Sequence, residues 1–201
     1  MTSGPDGGGD AAVGNGSTTG SPDPPGTAHG GRLDVVVLAG GTGRRLGGAS
    51  KPDVVARGAR LLDHVLAGLS GLTDLAEPAS GAEPTGRSAP EKRSPAELTA
   101  VVTCDAPESG RALPALVAAA RNAQDADGAC ALDGDHVQYL LGVYRTAALT
   151  QCVAPGGAAL RDVSVRRALG GLSVVHVDLG ELRSAARDLD TWEDVRAWDR
   201  H

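Results

Sequence analysis

Phenylalanine is absent from this 201-residue chain, which also holds only one Met, two Trp and two Tyr. Apolar residues nevertheless make up 41% of the sequence, so a core has to be built from Leu, Val and Ala. Small side chains of this kind let helices pack closely on strands. The length suits one domain, or a small two-lobed one, with room for a core.

Two classes of partner are disfavoured by what is lacking. The net charge is −6, and neither a basic stripe nor an aromatic stacking platform is visible, which predicts no nucleic-acid partner. No stretch of 18 apolar residues occurs, which predicts no membrane-spanning helix and no membrane partner. Residues 1–31 lack the basic start and apolar run of a signal peptide, so we expect a cytoplasmic location.

The three cysteines form no CxxC pair, and no His stands near them at a zinc-ligand spacing. Cys104, Cys130 and Cys152 are therefore predicted to be small buried side chains in a reducing compartment.

Two segments are too poor in apolar residues to form a core. Residues 1–31 contain ten Gly, four Pro and seven Ser or Thr, which predicts a disordered tail. Residues 73–97 contain four Pro and no Val, Ile or aromatic residue, which predicts a mobile loop of unusual length. We expect residues 32–201 to form the domain.

The rest of the chain alternates between short apolar runs and amphipathic segments, a pattern typical of an α/β fold. The run at 35–38 is typical of a strand buried on both faces of a parallel sheet. We predict a three-layer, doubly wound and mostly parallel sheet of Rossmann type. Further strands are expected at 98–103, 128–132, 139–144 and 173–177, and helices at 61–69, 113–122, 163–169 and 191–198, the last capped by Asp190 or Thr191.

Residues 38–51 read LAGGTGRRLGGASK and carry the chemistry. Five glycines directly after a strand let the backbone turn sharply and bring N–H groups against a ligand. Open α/β sheets bind ligands at this edge, beyond the carboxyl ends of their strands. Arg45 and Lys51 add positive charge suited to phosphate oxygens.

The spacing excludes two common phosphate loops. A Walker loop has Gly directly before its Lys, whereas Ser50 precedes Lys51 here. The dinucleotide fingerprint requires a small residue where this loop has Leu46.

The loop resembles the nucleotide signature of the molybdenum cofactor guanylyltransferases: LAGG, three variable residues, Arg, an apolar residue, Gly-Gly, two variable residues and Lys. Every fixed position is met. Cytidylyltransferases and sugar-phosphate nucleotidylyltransferases usually carry LAAG, so Gly40 and Gly41 favour the guanylyl branch. The turn and helix at 58–65 also fit the family.

Three later segments resemble family motifs in the right order. Residues 104–107 (CDAP) match an Asp-x-Pro motif. Residues 138–144 (QYLLGVY) match its Gln-Pro-Leu segment and Gly-x-Tyr, with Tyr139 in place of Pro. Residues 188–194 (DLDTWED) match its closing Asp-x-Asp-Thr-Pro-Glu-Asp, with Trp192 in place of Pro.

The resemblance implies a Mg²⁺-dependent enzyme that transfers GMP from GTP to molybdopterin and releases pyrophosphate. It implies that Arg45 and Lys51 neutralise the triphosphate and that Asp105 holds Mg²⁺. The nucleotide-binding residues implied with them are Leu38, Ala39, Gly40 and Gly41.

Structural roles compete with some of these assignments. Arg45 could pair with a neighbouring acid, and Asp105 could cap a turn or helix before Pro107. Asp190 is interpreted as a helix cap. His136 and Gln138 either touch a second substrate or are ordinary polar loop residues.

The family's Gly-Pro-Leu-Ala-Gly segment, which helps to form the base and ribose pocket, has no counterpart between Lys51 and Asp105. A strand and a helix are therefore expected to be missing from the middle of the fold. Two alternatives follow: a non-catalytic relative that binds a nucleotide or partner and regulates cofactor assembly, or a cytidylyl or sugar-phosphate nucleotidyltransferase.

Overall fold

The structure is a computed structural model that describes residues 32–40, 44–70, 72 and 96–200. The predicted tail at 1–31 lies outside these residues. So do most of the predicted loop at 73–97 and Gly41 of the glycine loop. Ala96, at the end of that loop segment, is buried and donates its N–H to Asp34.

The described part of the chain forms one five-stranded sheet and one small hairpin. The sheet order is β1-β4-β6-β5-β7, and β2 pairs with β3. The strands are β1 (Leu33–Leu38), β2 (Val55–Ala56), β3 (Ala59–Arg60), β4 (Leu98–Thr103), β5 (Gly128–Asp133), β6 (His136–Arg145) and β7 (Val174–Asp178). The helices are α1 (Leu61–Ser70), α2 (Leu113–Asn122), α3 (Thr146–Val153), α4 (Val165–Leu169) and α5 (Trp192–Asp199).

Four of the five sheet strands run in one direction. The β1–β4 and β5–β7 pairs are parallel, and β6 is antiparallel to both of its neighbours. The predicted mostly parallel α/β sheet is confirmed. The sequence did not predict α3, because it follows β6 directly without a Gly or Pro between them.

Helices cover both faces of the sheet, which makes three layers. On one face, buried Leu116 and Val117 of α2 and Val65 of α1 pack on Ala100 and Val102 of β4. The other face is packed differently, with α3 and α4 against the sheet. Its cluster is built from Val101, Cys130, Tyr144 and Leu169, with Leu149 and Cys152 packed against them.

The prediction that residues 35–38 form a strand buried on both faces is wrong. In the described residues β1 pairs with β4 alone, so it lies at the edge of the sheet. Val35, Val36 and Leu38 are 37%, 43% and 39% exposed. The apolar run is that of an interior strand, but no described strand lies against its outer side.

A small third cluster joins the beginning of the domain to its last helix. Buried Leu46 and Leu61 meet Leu189, Val195 and Trp198 there. The last helix, α5, starts at a capping box in which Thr191 accepts the backbone N–H of Asp194, and the Asp194 carboxylate accepts the Thr191 N–H in return. Thr191 is therefore the cap, and the interpretation of Asp190 as a cap is wrong.

None of the helices in the described ranges is long and apolar enough to cross a bilayer.

Candidate functional site

The site lies where two parallel strands end side by side. Strand β1 ends at Leu38 and passes into the glycine loop, while β4 ends at Thr103 and passes into Asp105. The Cys104 N–H donates to the Leu38 carbonyl at 3.0 Å and holds the two strand ends together. The glycine loop and Asp105 are neighbours for this reason, at the sheet edge where α/β proteins bind ligands.

The described part of the glycine loop is anchored through Leu46. Leu46 is 2% exposed and belongs to the third cluster. Gly47 and Gly48 follow with φ angles of 68° and 85°, a left-handed turn that favours glycine. Gly40 is different, since its φ is ordinary and a Cβ there would meet nothing within 4 Å. The fold itself does not require a glycine at position 40.

Lys51 lies between two carboxylates at the base of the loop. Its Nζ is 2.5 Å from Asp105 Oδ2 and 2.5 Å from Asp190 Oδ1. The side chains of Lys51 and Asp105 are 16% and 15% exposed. Partial burial lowers the pKa of Lys51, but its hydrogen bonds to Asp105 and Asp190 outweigh this and hold the pKa above its usual value. The ammonium therefore stays charged throughout the physiological pH range.

Arg45 joins the same cluster from the solvent side. Its Nη1 donates to Asp190 Oδ2 at 3.0 Å, and 74% of its side chain is exposed. The guanidinium is thus loosely held and free to turn towards an anion. The alternative that Asp105 caps a helix is wrong, because the first helical turn after it begins at Ser109 with Glu108 at the cap position. The alternative that Asp105 is a turn residue before Pro107 agrees with the structure, in which residues 104 and 105 form a turn.

Asp188 belongs to the site, although sequence reasoning assigned it no role there. Leu189 is fully buried, and its N–H donates to the Asp105 carbonyl at 2.8 Å, which ties the 188–190 segment to the end of β4. Protein atoms around the Asp188 carboxyl, and then the negative charges of Asp105 and Asp190, raise its pKa to about 6, against an opposing effect of Lys51. The sequence signal for Asp188 was its position two residues before Asp190, with the apolar Leu189 between the two carboxylates.

Asp188→Asn is expected to flatten the pH dependence of stability between about pH 4 and 6. The folded-state pKa lies above that of an unfolded Asp, so the stabilisation is present below pH 4 and is lost as the pH rises through 6. Because Asp188 reaches solvent, the gain for the variant at pH 7 should be only about 0.5–1 kcal/mol. Urea unfolding across this pH range measures it.

Asp125→Asn, on the exposed turn after α2, is the matched control. If the free energy of unfolding of Asp188→Asn depended on pH in the same way as that of the wild type, the raised pKa of Asp188 would be contradicted.

The carboxylates of Asp105, Asp188 and Asp190 suit a Mg²⁺ ion that is also bound by other ligands. In the part of the chain that the structure describes, no three Asp, Glu, His or Cys side chains are grouped so as to hold a metal ion by themselves. Mg²⁺ commonly takes one or two carboxylates and fills its remaining positions with water and phosphate oxygens. Asp105, beside Asp188 and Asp190, fits an ion held jointly with a phosphate ligand.

A cavity of about 380 Å³ adjoins Asp105 on the side of β6. The pairing of β5 with β6 shifts between Cys130 and Ala131, so that residues 139–141 form a bulge. The cavity is lined by residues from four parts of the chain: Thr103, Asp105, Ala106, Asp135, His136, Val137, Gln138, Tyr139, Leu140, Leu141, Val165, Arg166, Ala186 and Asp188. His136 and Gln138 thus face the same cavity as Asp105, in a strand instead of a loop.

The bulge is fixed from behind by Tyr144. Its hydroxyl donates to the Tyr139 carbonyl at 2.5 Å and lies 3.1 Å from Cys130 Sγ. A Cβ at Gly142 would meet the Tyr144 ring and hydroxyl at 2.8–2.9 Å. The Gly-x-Tyr at 142–144 therefore shapes the cavity wall without lining it.

The cysteines agree with the sequence-based expectation in part. Cys104 and Cys130 are buried, Cys152 is half-buried, and all three are free thiols. Burial raises the pKa of Cys130 to about 11, so this thiol is inert at neutral pH.

Comparison with known proteins gives similarity to a curated sequence and to solved structures. A scan against models of protein families finds no match. The molybdenum cofactor guanylyltransferase of Acidiphilium cryptum (strain JF-5) is 50% identical over 42 residues, which is 21% of either chain. The matched segment thus spans about a fifth of that relative's length.

The crystal structure of molybdopterin-guanine dinucleotide biosynthesis protein A from Archaeoglobus fulgidus superimposes with a TM-score of 0.55 at 19% identity. The superposition covers 84% of this chain and 97% of that chain. The chain therefore has the Rossmann-like α/β nucleotidyltransferase fold, and part of it is similar to a molybdenum cofactor guanylyltransferase.

Proposed function

We propose that this protein is a Mg²⁺-dependent nucleotidyltransferase that transfers GMP from GTP to molybdopterin and releases pyrophosphate. The observation that carries the proposal is Lys51, held between Asp105 and Asp190 directly beside the glycine loop. A partly buried ammonium at the ligand-binding edge of an α/β sheet provides fixed positive charge where a triphosphate would lie. The partial likeness to a guanylyltransferase supports the choice of reaction.

The chain's own groups have separate tasks in this proposal. Exposed backbone at Leu38, Ala39 and Gly40, continued by Gly41, meets the nucleotide. Lys51 exchanges a carboxylate oxygen for a phosphate oxygen, and Arg45 turns from Asp190 onto the triphosphate. Both cations neutralise the charge that grows on the leaving pyrophosphate. Mg²⁺, held through Asp105, would supply further charge neutralisation when bound.

The acceptor belongs in the cavity beside Asp105. An oxygen of its terminal phosphate forms a new bond to the α-phosphorus of GTP, and the bond from that phosphorus to the bridging β-phosphate oxygen breaks. His136, Gln138 and Arg166 line the cavity and offer polar contacts to a large heterocyclic acceptor. The protein acts by positioning and charge, as in other phosphoryl transfers.

A second candidate is a non-catalytic protein that binds a nucleotide or a partner and regulates cofactor assembly. Two observations favour it: the Gly-Pro-Leu-Ala-Gly segment of the enzymes has no counterpart in the sequence, and in the described residues the outer edge of β1 is open to a partner. A cytidylyl or sugar-phosphate nucleotidyltransferase is a third candidate within enzymes. Cytoplasmic location stays a prediction from the sequence.

Calorimetric titration with GTP, CTP and ATP, each with and without Mg²⁺, tests the binding step. We expect saturable, Mg²⁺-dependent binding with GTP preferred. Gly40→Ala should weaken this binding while leaving the thermal stability unchanged, because the fold leaves room for a Cβ that a closely approaching ligand would meet.

Arg121→Ala, in the last turn of α2, is the control for general effects of surface mutation. Equal affinities for the three nucleotides would contradict the assignment of GTP as the preferred nucleotide. A folded protein that gives no heat with any of them would contradict the enzyme proposal and favour the second candidate.

A further inference from the structure

The outer edge of β1 has the composition of an interface. In the described residues nothing pairs with this edge. The Leu38 carbonyl accepts from Cys104, so Leu38, Val36 and Asp34 direct their backbone groups towards β4. Because successive residues of a strand alternate, Val35 and Val37 direct their N–H and C=O groups outward. An exposed apolar edge of this kind is a template for another strand.

An apolar groove adjoins this edge on the face covered by α3 and α4. It encloses about 400 Å³ and is lined by Val36 and Leu38 of β1 and by the segment after α3. The described part of the chain has ten exposed large hydrophobic residues, and six of them line the groove: Val36, Leu38, Val153, Leu160, Val163 and Val165. Asp162 is the sole charged residue in its lining. A contiguous patch of six exposed hydrophobic side chains is typical of an interaction surface.

The remaining parts of the chain are poor candidates to supply the missing strand. Residues 73–95 hold no Val, Ile or aromatic residue, and they contain four Pro. Residues 1–31 hold one Val, no Ile and no aromatic residue. Strands are depleted in Gly, Pro, Asp, Glu, Lys and Ala, which together make up most of both segments. These compositions favour an occupant from another molecule.

The sequence of β1 is complementary to itself in the antiparallel direction. With Val36 at the centre, Val36 lies opposite Val36 of a second copy, and Val35 lies opposite Val37 on either side. Asp34 lies opposite Leu38, so no like charges meet. In a parallel pair with no stagger Asp34 would lie beside Asp34, which is destabilising.

We propose that the protein forms a homodimer in which β1 pairs antiparallel with β1 of a second copy. The two five-stranded sheets become one, and the two-fold axis passes through the Val36 pair, perpendicular to the sheet. Both apolar grooves then lie on the same face and meet at this axis. Pairing of the two β1 strands and contact between the two grooves would bury the groove residues, which are most of the exposed large hydrophobic residues in the described chain. This inference does not depend on the proposed function.

Analytical ultracentrifugation of the full chain tests it. The wild type is expected to sediment as a dimer. Val36→Lys should weaken the dimer at least about a hundredfold, since two ammonium groups would face each other across the axis. Val35→Pro removes an outward N–H that β4 does not use, and it should also give monomers.

Val55→Lys is the matched control, because Val55 is 63% exposed in the small hairpin and outside the groove. It should leave the dimer unchanged. Circular dichroism of each variant verifies folding. A monomeric wild type, or folded Val36→Lys and Val35→Pro variants that both remain dimers, would overturn the proposal.

Discussion

Lys51→Ala is expected to lower the rate of pyrophosphate release from GTP, measured with molybdopterin as acceptor, by about 10²–10³-fold. This is the usual cost of removing one preorganised group that stabilises charge in a transition state. The structure supplies the preorganisation, because Asp105 and Asp190 hold the ammonium in place before any ligand binds. A coupled pyrophosphate assay measures the rate.

The control for Lys51→Ala is Asp125→Asn, which changes an exposed carboxylate on the turn after α2. It should leave the rate within about twofold, as surface substitutions away from a site usually do. The double variant Lys51→Ala, Asp105→Asn should lose less than the product of the two single effects, because the residues contact each other. An unchanged rate in Lys51→Ala would be incompatible with the proposed chemistry.

Leu189→Ala is expected to destabilise the fold by about 2–5 kcal/mol, the range for a buried Leu truncated to Ala. Leu189 is fully buried against Leu46, Leu61 and Trp198. The cavity left behind would loosen the contact between the glycine loop and the 188–190 segment. We therefore expect weaker nucleotide binding in the same variant.

Urea unfolding measures the stability loss, and Leu66→Ala on the exposed face of α1 is the control. Leu66 is 49% exposed, so its truncation should cost less than about 0.5 kcal/mol. Equal losses in the two variants would show that the third cluster does not support the fold as described.

The sequence predicted most of the fold because the strands are short apolar runs and the helices have one apolar face. The main error was the prediction that β1 is buried on both faces. An apolar run shows that a strand is suited to a buried position, but it does not show whether other elements of the chain cover that strand. The adjacent ends of the parallel strands β1 and β4 place Asp105 beside the glycine loop, as the rule for parallel sheets implies.

The acidic side of the site could not be predicted in the same way. Asp190 and Thr191 are both good caps, and local propensity does not decide between them. The tertiary contact decides: Leu189 buries itself and donates to the Asp105 carbonyl, which turns Asp190 towards Lys51. Asp188 was missed because its environment depends on the same contact. Local sequence patterns do not reveal residues whose role depends on a contact between segments that are distant in the chain.

The contact between Lys51 and Asp190 has a consequence for biosynthesis. The two residues are 139 positions apart in the chain, and ribosomes add about 5–20 residues per second. The charged cluster therefore cannot close until roughly 10–30 s after Lys51 has been added. Throughout that interval Lys51 lacks one of its two carboxylate partners, and the charged cluster is completed only after the segment before α5 has docked.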